Sequence, residues 1–188
     1  GFITDGGVQE EISQGVGRIA GHLGLNNFIM FYDSNDVQLS SMTDEVSSED
    51  TTMKYEAWGW KVINIDGHNH EQIRKALDDA NAETERPTLI IGKTIMGKGC
   101  VLANGAMYEG ECELHGKPIG DTKADFKQTL INLGANPESS FDIYEDVQAY
   151  YSEVLAKKTA TAAIKKETVA AWKKANPALS QKMEMFLS

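Results

Sequence analysis

Three short apolar runs, separated by stretches with helical spacing, constrain this chain more than any other feature. They are "NFIMFYD" at 27–33, "WKVINI" at 60–65 and "TLIIGKT" at 88–94. Continuous apolar runs of this length, without alternation, are what strands buried on both faces of a sheet require. Phe2-Ile3 reads as the end of a fourth. Between it and the run at 27–33, Val8, Ile12, Val16, Ile19, Ala20 and Leu23 recur at helical intervals, and Gly21 and Gly24 sit where helices stop. The small residues Gly15, Gly17, Ala20 and Gly21 allow this helix to lie close against a neighbour. Ser48 is expected to cap a helix through "EDTTMKYEAWG", and Asn69 with Gln72 resembles a capping box ahead of Ile73, Ala76, Leu77 and Ala80. Strands alternating with helices predict an α/β fold, a parallel sheet with helices on both faces.

From Ile95 to Asp121 the sequence is Gly-rich and aperiodic, and stretches of this length without period are uncommon unless they carry function. Beyond it "KADFKQTLINLG" is helical. Ile143 to Lys174 reads as one long amphipathic helix, broken at Asn176-Pro177 before a short final helix. This divides the chain into an α/β domain over 1–135 and a helical arm over 136–188. The formal net charge of −10 argues against binding to nucleic acid or an anionic membrane surface, which carry the same sign. A phosphate-bearing ligand must then be held by backbone amides or through a metal. Cys100 and Cys112 form no metal-ligand pattern, and a reducing, cytoplasmic setting is the simplest reading. No apolar stretch reaches membrane-spanning length.

In a parallel sheet the carboxyl ends of the strands share one edge, and ligands gather there where crossovers diverge. Asp5 follows the first strand and Asp33-Ser34-Asn35 the second, about one βαβ unit apart. A carboxylate, an amide oxygen and a backbone carbonyl at Val37 are hard donors that suit Mg²⁺ or Ca²⁺. Gly6 and Gly7 would offer N–H groups to a diphosphate with no side chain in the way. By spacing alone, an Asp-Gly-Gly segment after a strand is more often simple turn chemistry, and the pattern does not identify an enzyme.

The wider text is more specific. "TDGGVQEEISQGVGRIAGHLGLNNFIMFYDSNDVQL", "YEAWGWKVINIDGHN", "RPTLIIGKTIMGKG" and "LHGKPIG" follow one another in an order that resembles transketolase, and the first stretch is similar to the family's thiamine diphosphate fingerprint. The resemblance implies that Asp5, Asn35 and the Val37 carbonyl hold Mg²⁺, or Ca²⁺ in its place, and that Gly6 and Asn35 touch the diphosphate of thiamine diphosphate. It puts Met96 against the cofactor and gives His115 a contact to both diphosphate and reacting sugar. Glu10 takes a place in an acidic network across a homodimer interface. On the residues alone, Glu10 also reads as a first-turn acid favoured by the helix dipole, and His115 as a turn histidine. His22, His68 and His70 receive no role.

The implied activity is transfer of a two-carbon ketol unit from a ketose phosphate to an aldose phosphate. The family's pyrimidine-binding domain is absent from the 188 residues, so the chain alone is expected to be inert and to expose a strand edge. Dihydroxyacetone synthase, 1-deoxy-xylulose-5-phosphate synthase and a non-catalytic subunit of a split enzyme are the alternatives. Two departures stand out: Thr4 where the family's first Gly is usual, and a longer loop between Gly99 and His115 containing "ANGAMYEGECE".

Overall fold

The computed structural model describes residues 1–139 and 141–187. It resolves into two compact units, Gly1–Glu138 and Ser139–Ser188. In the first, β1 (Phe2–Thr4), β2 (Ile29–Ser34), β3 (Lys61–Asp66) and β4 (Thr88–Lys93) form one sheet in the order β1-β2-β4-β3. Every pairing is parallel. The three longer strands lie where the apolar pattern predicts, β2 and β4 in the centre of the sheet and β3 at its edge. Among the described residues β1 pairs with β2 alone and leaves Phe2 86% exposed, the open edge expected from the sequence.

Helices cover both faces. Val8 of α1 (Asp5–Gln9), Ala20 of α2 (Glu11–His22) and Tyr55 of α3 (Thr51–Ala57) pack with Met30, Tyr32, Trp60 and Leu89 on one face. On the other, Ala76 and Ala80 of α4 (His70–Asn81) meet Ile90, flanked by Ile29, Phe31, Ile63 and Ile65. The central strands β2 and β4 are therefore covered on both faces, which accounts for their lack of alternation, whereas the edge strand β3 exposes Asn64 and Asp66.

The single helix expected over Val8–Leu23 is two. Glu10 is extended (φ −64°, ψ 132°) and separates α1 from α2. Gly6 and Gly7 weaken the first turns, and the Gln14 amide takes the Gln9 carbonyl at 3.0 Å, meeting the hydrogen-bonding need at the break. Asp50 rather than Ser48 caps α3, its carboxylate accepting from the Met53 N–H at 2.9 Å. Asn69 caps α4 as expected, by accepting from Glu71 and Gln72 N–H groups. Gln72, however, accepts from Asp66 N–H and so ties the helix start to β3 instead of closing a capping box.

The small residues of α2 differ in use. A Cβ on Gly21 would stand 1.8 Å from the Trp58 carbonyl oxygen, and one on Gly17 would press on Trp58 and Tyr55. Trp60 donates to the Gly17 carbonyl at 2.7 Å across the same close approach. Gly15 faces open space.

The segment after β4 folds on itself through a Val101–Met107 bridge and 3-10 turns at Cys112–Leu114 and Ile119–Asp121, then enters α5 (Phe126–Asn132), capped by Asp125. In the second unit, α6 (Glu145–Ala175) and α7 (Pro177–Leu187) are joined at Asn176, whose side chain donates to the Trp172 carbonyl at 3.0 Å. α6 buries none of its residues and is not the amphipathic helix expected: its large apolar side chains are spread around the axis.

Gly21→Ala is expected to destabilise the chain by about 1–3 kcal/mol through overpacking. Gly15→Ala should stabilise it by about 0.4–1 kcal/mol, because only backbone entropy changes. Urea denaturation of the two variants beside the parent measures both.

Candidate cofactor-anchoring site

β1 and β2 are neighbours in register, with Thr4 opposite Asp33, so their ends deliver Asp5 and Asn35 side by side. The crossovers that follow β1 and β2 both pack on one face through Val8, Ala20 and Tyr55, so strand adjacency makes this meeting, not diverging crossovers. Asp5 is 1% exposed. Its Oδ1 accepts from the Tyr32 hydroxyl at 2.8 Å and its Oδ2 from the Asn35 N–H at 2.9 Å. Asn35 Oδ1 in turn accepts from the Val37 N–H at 3.1 Å. Asp5, Asn35 and Val37 thus form one hydrogen-bonded run.

The turn carrying that run is held at several points. Asp36, between the two loop residues, has φ 65° and is the only non-Gly residue with positive φ among the described residues. Its carboxylate pairs with Lys93 at the end of β4. Val37 bridges Met42, and Gln9 reaches from α1 to donate to Gln38 Oε1 and to the Asp5 carbonyl, both at 2.9 Å. Asp33 points the other way, accepting from the Thr94 hydroxyl. Burial pushes the Asp5 carboxyl above its ordinary range; the Asn35 and Tyr32 donors oppose this without cancelling it. Tyr32 is itself pushed upward, by burial first and by its bond to Asp5 second.

Two concavities adjoin the run. A cavity of about 280 Å³ is lined by Asp5, Tyr32, Ser34 and Asp36 together with acidic residues of the 43–52 segment. A second, of about 320 Å³, brings Gly6 and Glu10 together with Gln9, Gln38 and Leu39. Gly6 has nothing within 4 Å of where a Cβ would stand, so its backbone is open to a ligand. Glu10 is exposed at the α1–α2 break.

Met96 and His115 belong to a different segment. Both are half-buried; the Met96 carbonyl accepts from Gly110 N–H at 2.8 Å, and His115 ends the 3-10 turn at Cys112–Leu114. Among the described residues no hydrogen bond joins either to Asp5, Asn35 or Val37. The link runs through sulfur, since Cys112 Sγ lies 3.5 Å from Sδ of Met42, the bridge partner of Val37. His115 Nδ1 is buried with no hydrogen-bond partner among the described residues. The long loop is internally braced: Glu109 accepts from Gly99 N–H at 2.8 Å, and Tyr108 donates to Glu113 at 2.5 Å. That bond pushes the Tyr108 hydroxyl up to about 12 and Glu113 below its ordinary range.

The description "Transketolase, thiamine diphosphate binding domain" matches residues 1–188. The chain belongs to this family. It is 37% identical over 182 residues to transketolase 1 of Pasteurella multocida, covering 95% of this chain and 26% of that protein. Dihydroxyacetone synthase of Pichia angusta is 34% identical over 177 residues, with 93% and 23% covered. A crystal structure of transketolase from Pichia stipitis complexed with sedoheptulose 7-phosphate superposes with a TM-score of 0.84 at 30% identity, over 97% of this chain and 26% of that one. The chain spans about a quarter of the length of these relatives. No helix among the described residues is long and apolar enough to cross a membrane.

Within this transketolase-family domain, sequence reasoning passed over Tyr32, Gln9 and His68. Tyr32 ended an apolar run and read as core. His68 Nε2 accepts from the Ile95 N–H at 3.1 Å, tying the end of β3 to the segment that carries Met96. Thr4, the departure from the family pattern, caps α1 by accepting from Gly7 N–H at 3.3 Å, which a glycine cannot do.

Because burial makes the folded chain hold the Asp5 proton more tightly than the unfolded chain does, ionised Asp5 costs stability. The favourable contribution is complete below the ordinary carboxylate range and is lost as pH rises through the elevated value. Asp5→Asn should raise the unfolding midpoint of the ligand-free chain near neutral pH, by about 2–4 °C for each kcal/mol relieved, and the gain should vanish below about pH 4. Thermal melts at both pH values test it.

Proposed function

We propose that this chain is the diphosphate-anchoring part of a transketolase that passes a two-carbon ketol unit from a ketose phosphate to an aldose phosphate. The observation that carries the reading is the hydrogen-bonded run Asp5–Asn35–Val37 at the adjoining ends of β1 and β2, in a chain that matches the family from end to end. In this reading the Asp5 carboxylate, the Asn35 amide oxygen and the Val37 carbonyl hold Mg²⁺, or Ca²⁺ in its place. The donor set fits: all three are hard oxygens, and each side-chain oxygen spends one lone pair on the bonds described and keeps another.

Gly6 and Asn35 face the diphosphate, the former with open space over its backbone. Met96 packs against the cofactor. His115 orients the sugar, and its unpartnered Nδ1 is in keeping with a role toward a ligand. Its contribution is placement and stabilisation of developing charge on sugar oxygens. Thiamine diphosphate, when bound, supplies the nucleophilic carbon that carries the two-carbon unit. Glu10 contributes to an acidic network in a homodimer, and the helical arm over 136–188 leads toward a pyrimidine-binding domain. A cytoplasmic location accompanies this reading.

The relative crystallised with sedoheptulose 7-phosphate supports sugar phosphates as substrates. The likeness to dihydroxyacetone synthase supports a second reading, in which formaldehyde is the acceptor. The full-length protein, supplied with xylulose 5-phosphate, Mg²⁺ and thiamine diphosphate, is expected to turn over ribose 5-phosphate faster than formaldehyde, and the reverse order favours the second reading. The 188-residue chain alone should give no ketol transfer. Turnover by it would show that the missing parts are dispensable, and inactivity of the full-length protein with either acceptor rejects both readings.

A further inference from the structure

Tyr32 occupies the face of β2 that it shares with Met30, and its ring belongs to the cluster of Val8, Tyr55, Trp60 and Leu89. A phenylalanine would fill the same core. The hydroxyl therefore has no packing task, and it donates to Asp5 Oδ1 at 2.8 Å, from a residue that is 6% exposed to one that is 1% exposed, with the Ser34 side chain also beside it. The second oxygen of Asp5 is held from a different direction by the Asn35 N–H, a loop donor. One donor sits on a side chain fixed in the sheet core and the other on the turn that follows β2. Together they leave the carboxylate one orientation.

We infer that Tyr32 is a positioning residue that sets the Asp5 carboxylate for a divalent cation and biases the site toward Mg²⁺ over Ca²⁺. The inference rests on the proposed cation role of Asp5. Its physical basis is the difference between the two ions: Mg²⁺ demands near-octahedral order at short range, whereas Ca²⁺ accepts more ligands in looser geometry. A carboxylate free to turn is a poorer ligand for the first than for the second. Outer partners of metal ligands carry about 10–100-fold in affinity.

The test uses the full-length protein with thiamine diphosphate at fixed concentration, titrated separately with Mg²⁺ and Ca²⁺ and followed calorimetrically. Tyr32→Phe should weaken Mg²⁺ about tenfold or more and Ca²⁺ less than about threefold. Replacing Tyr32 by 4-aminophenylalanine, which keeps a donor at the ring's end, should bring the preference for Mg²⁺ back to within about threefold of the parent. Equal weakening of both ions, no change in either, or loss of the preference despite the restored donor overturns the positioning role while leaving the cation site standing. Absence of cation-dependent cofactor binding in the unmodified protein overturns the proposed function, and this inference with it.

Discussion

The parallel pairing of β1 with β2 is the constraint on which the rest of the site depends. β1 is three residues long and an edge strand, yet its register sets Ile3 against Tyr32 and Thr4 against Asp33. One residue of slippage would reverse which side chains of β1 face the helices and carry Asp5 away from the Tyr32 hydroxyl. Thr4 reinforces the register from the chain end by capping α1 as soon as the strand stops, so the turn to the helix begins at Asp5 itself. Asp5 is thus fixed through backbone geometry before any side-chain bond is counted.

The buried carboxylate that results is costly to the fold on its own. Lys93, the cation whose charge favours ionised Asp5, is ion-paired with Asp36, whose own charge opposes it. What holds Asp5 is therefore dipolar: one hydroxyl and one backbone amide. Two donors on a buried anion satisfy hydrogen bonding but do not neutralise charge, which is why burial remains the dominant influence on its proton affinity. A site that leaves a buried anion short of positive charge is a site arranged for something that supplies it, and the proposed cation does so.

How much of this was legible depends on the range of the interactions. The strands at 29–34 and 88–93 were readable because burial on both faces demands an unbroken apolar run, and the edge strand at 61–66 because Val62, Ile63 and Ile65 still keep it mostly apolar. Asn69 was readable as a cap because capping is local. The break at Glu10 was not, since the helical period of Val8, Ile12 and Val16 continues across it while two glycines and the Gln14 side chain decide the geometry. α6 was read as amphipathic from its apolar content, but Val147, Leu155, Ile164 and Trp172 do not share one face. In the candidate site, the meeting of Asp5, Asn35 and Val37 was reachable because the ends of parallel strands share one edge of the sheet. Tyr32 was not, because its partner is set by inter-strand register, and His68 was not, because its bond to Ile95 joins the ends of two strands adjacent only in the folded sheet.

Charge bears on the proposed anchor as well. The chain carries −10 overall, and the cavity beside Asp5 is lined by Asp36, Asp44, Glu49 and Asp50 as well. A diphosphate approaching such a surface meets repulsion over a distance of roughly a Debye length, about 8 Å at physiological ionic strength. Backbone amides at Gly6 and Gly7 contribute partial charges from a helix of five residues, too short to build a full macrodipole. On the proposed reading a divalent cation between carboxylate and diphosphate turns the same acidic residue from an obstacle into the anchor. The neighbouring acids would then favour cation capture, and by linkage the cation and the diphosphate should each raise the affinity for the other by the same factor.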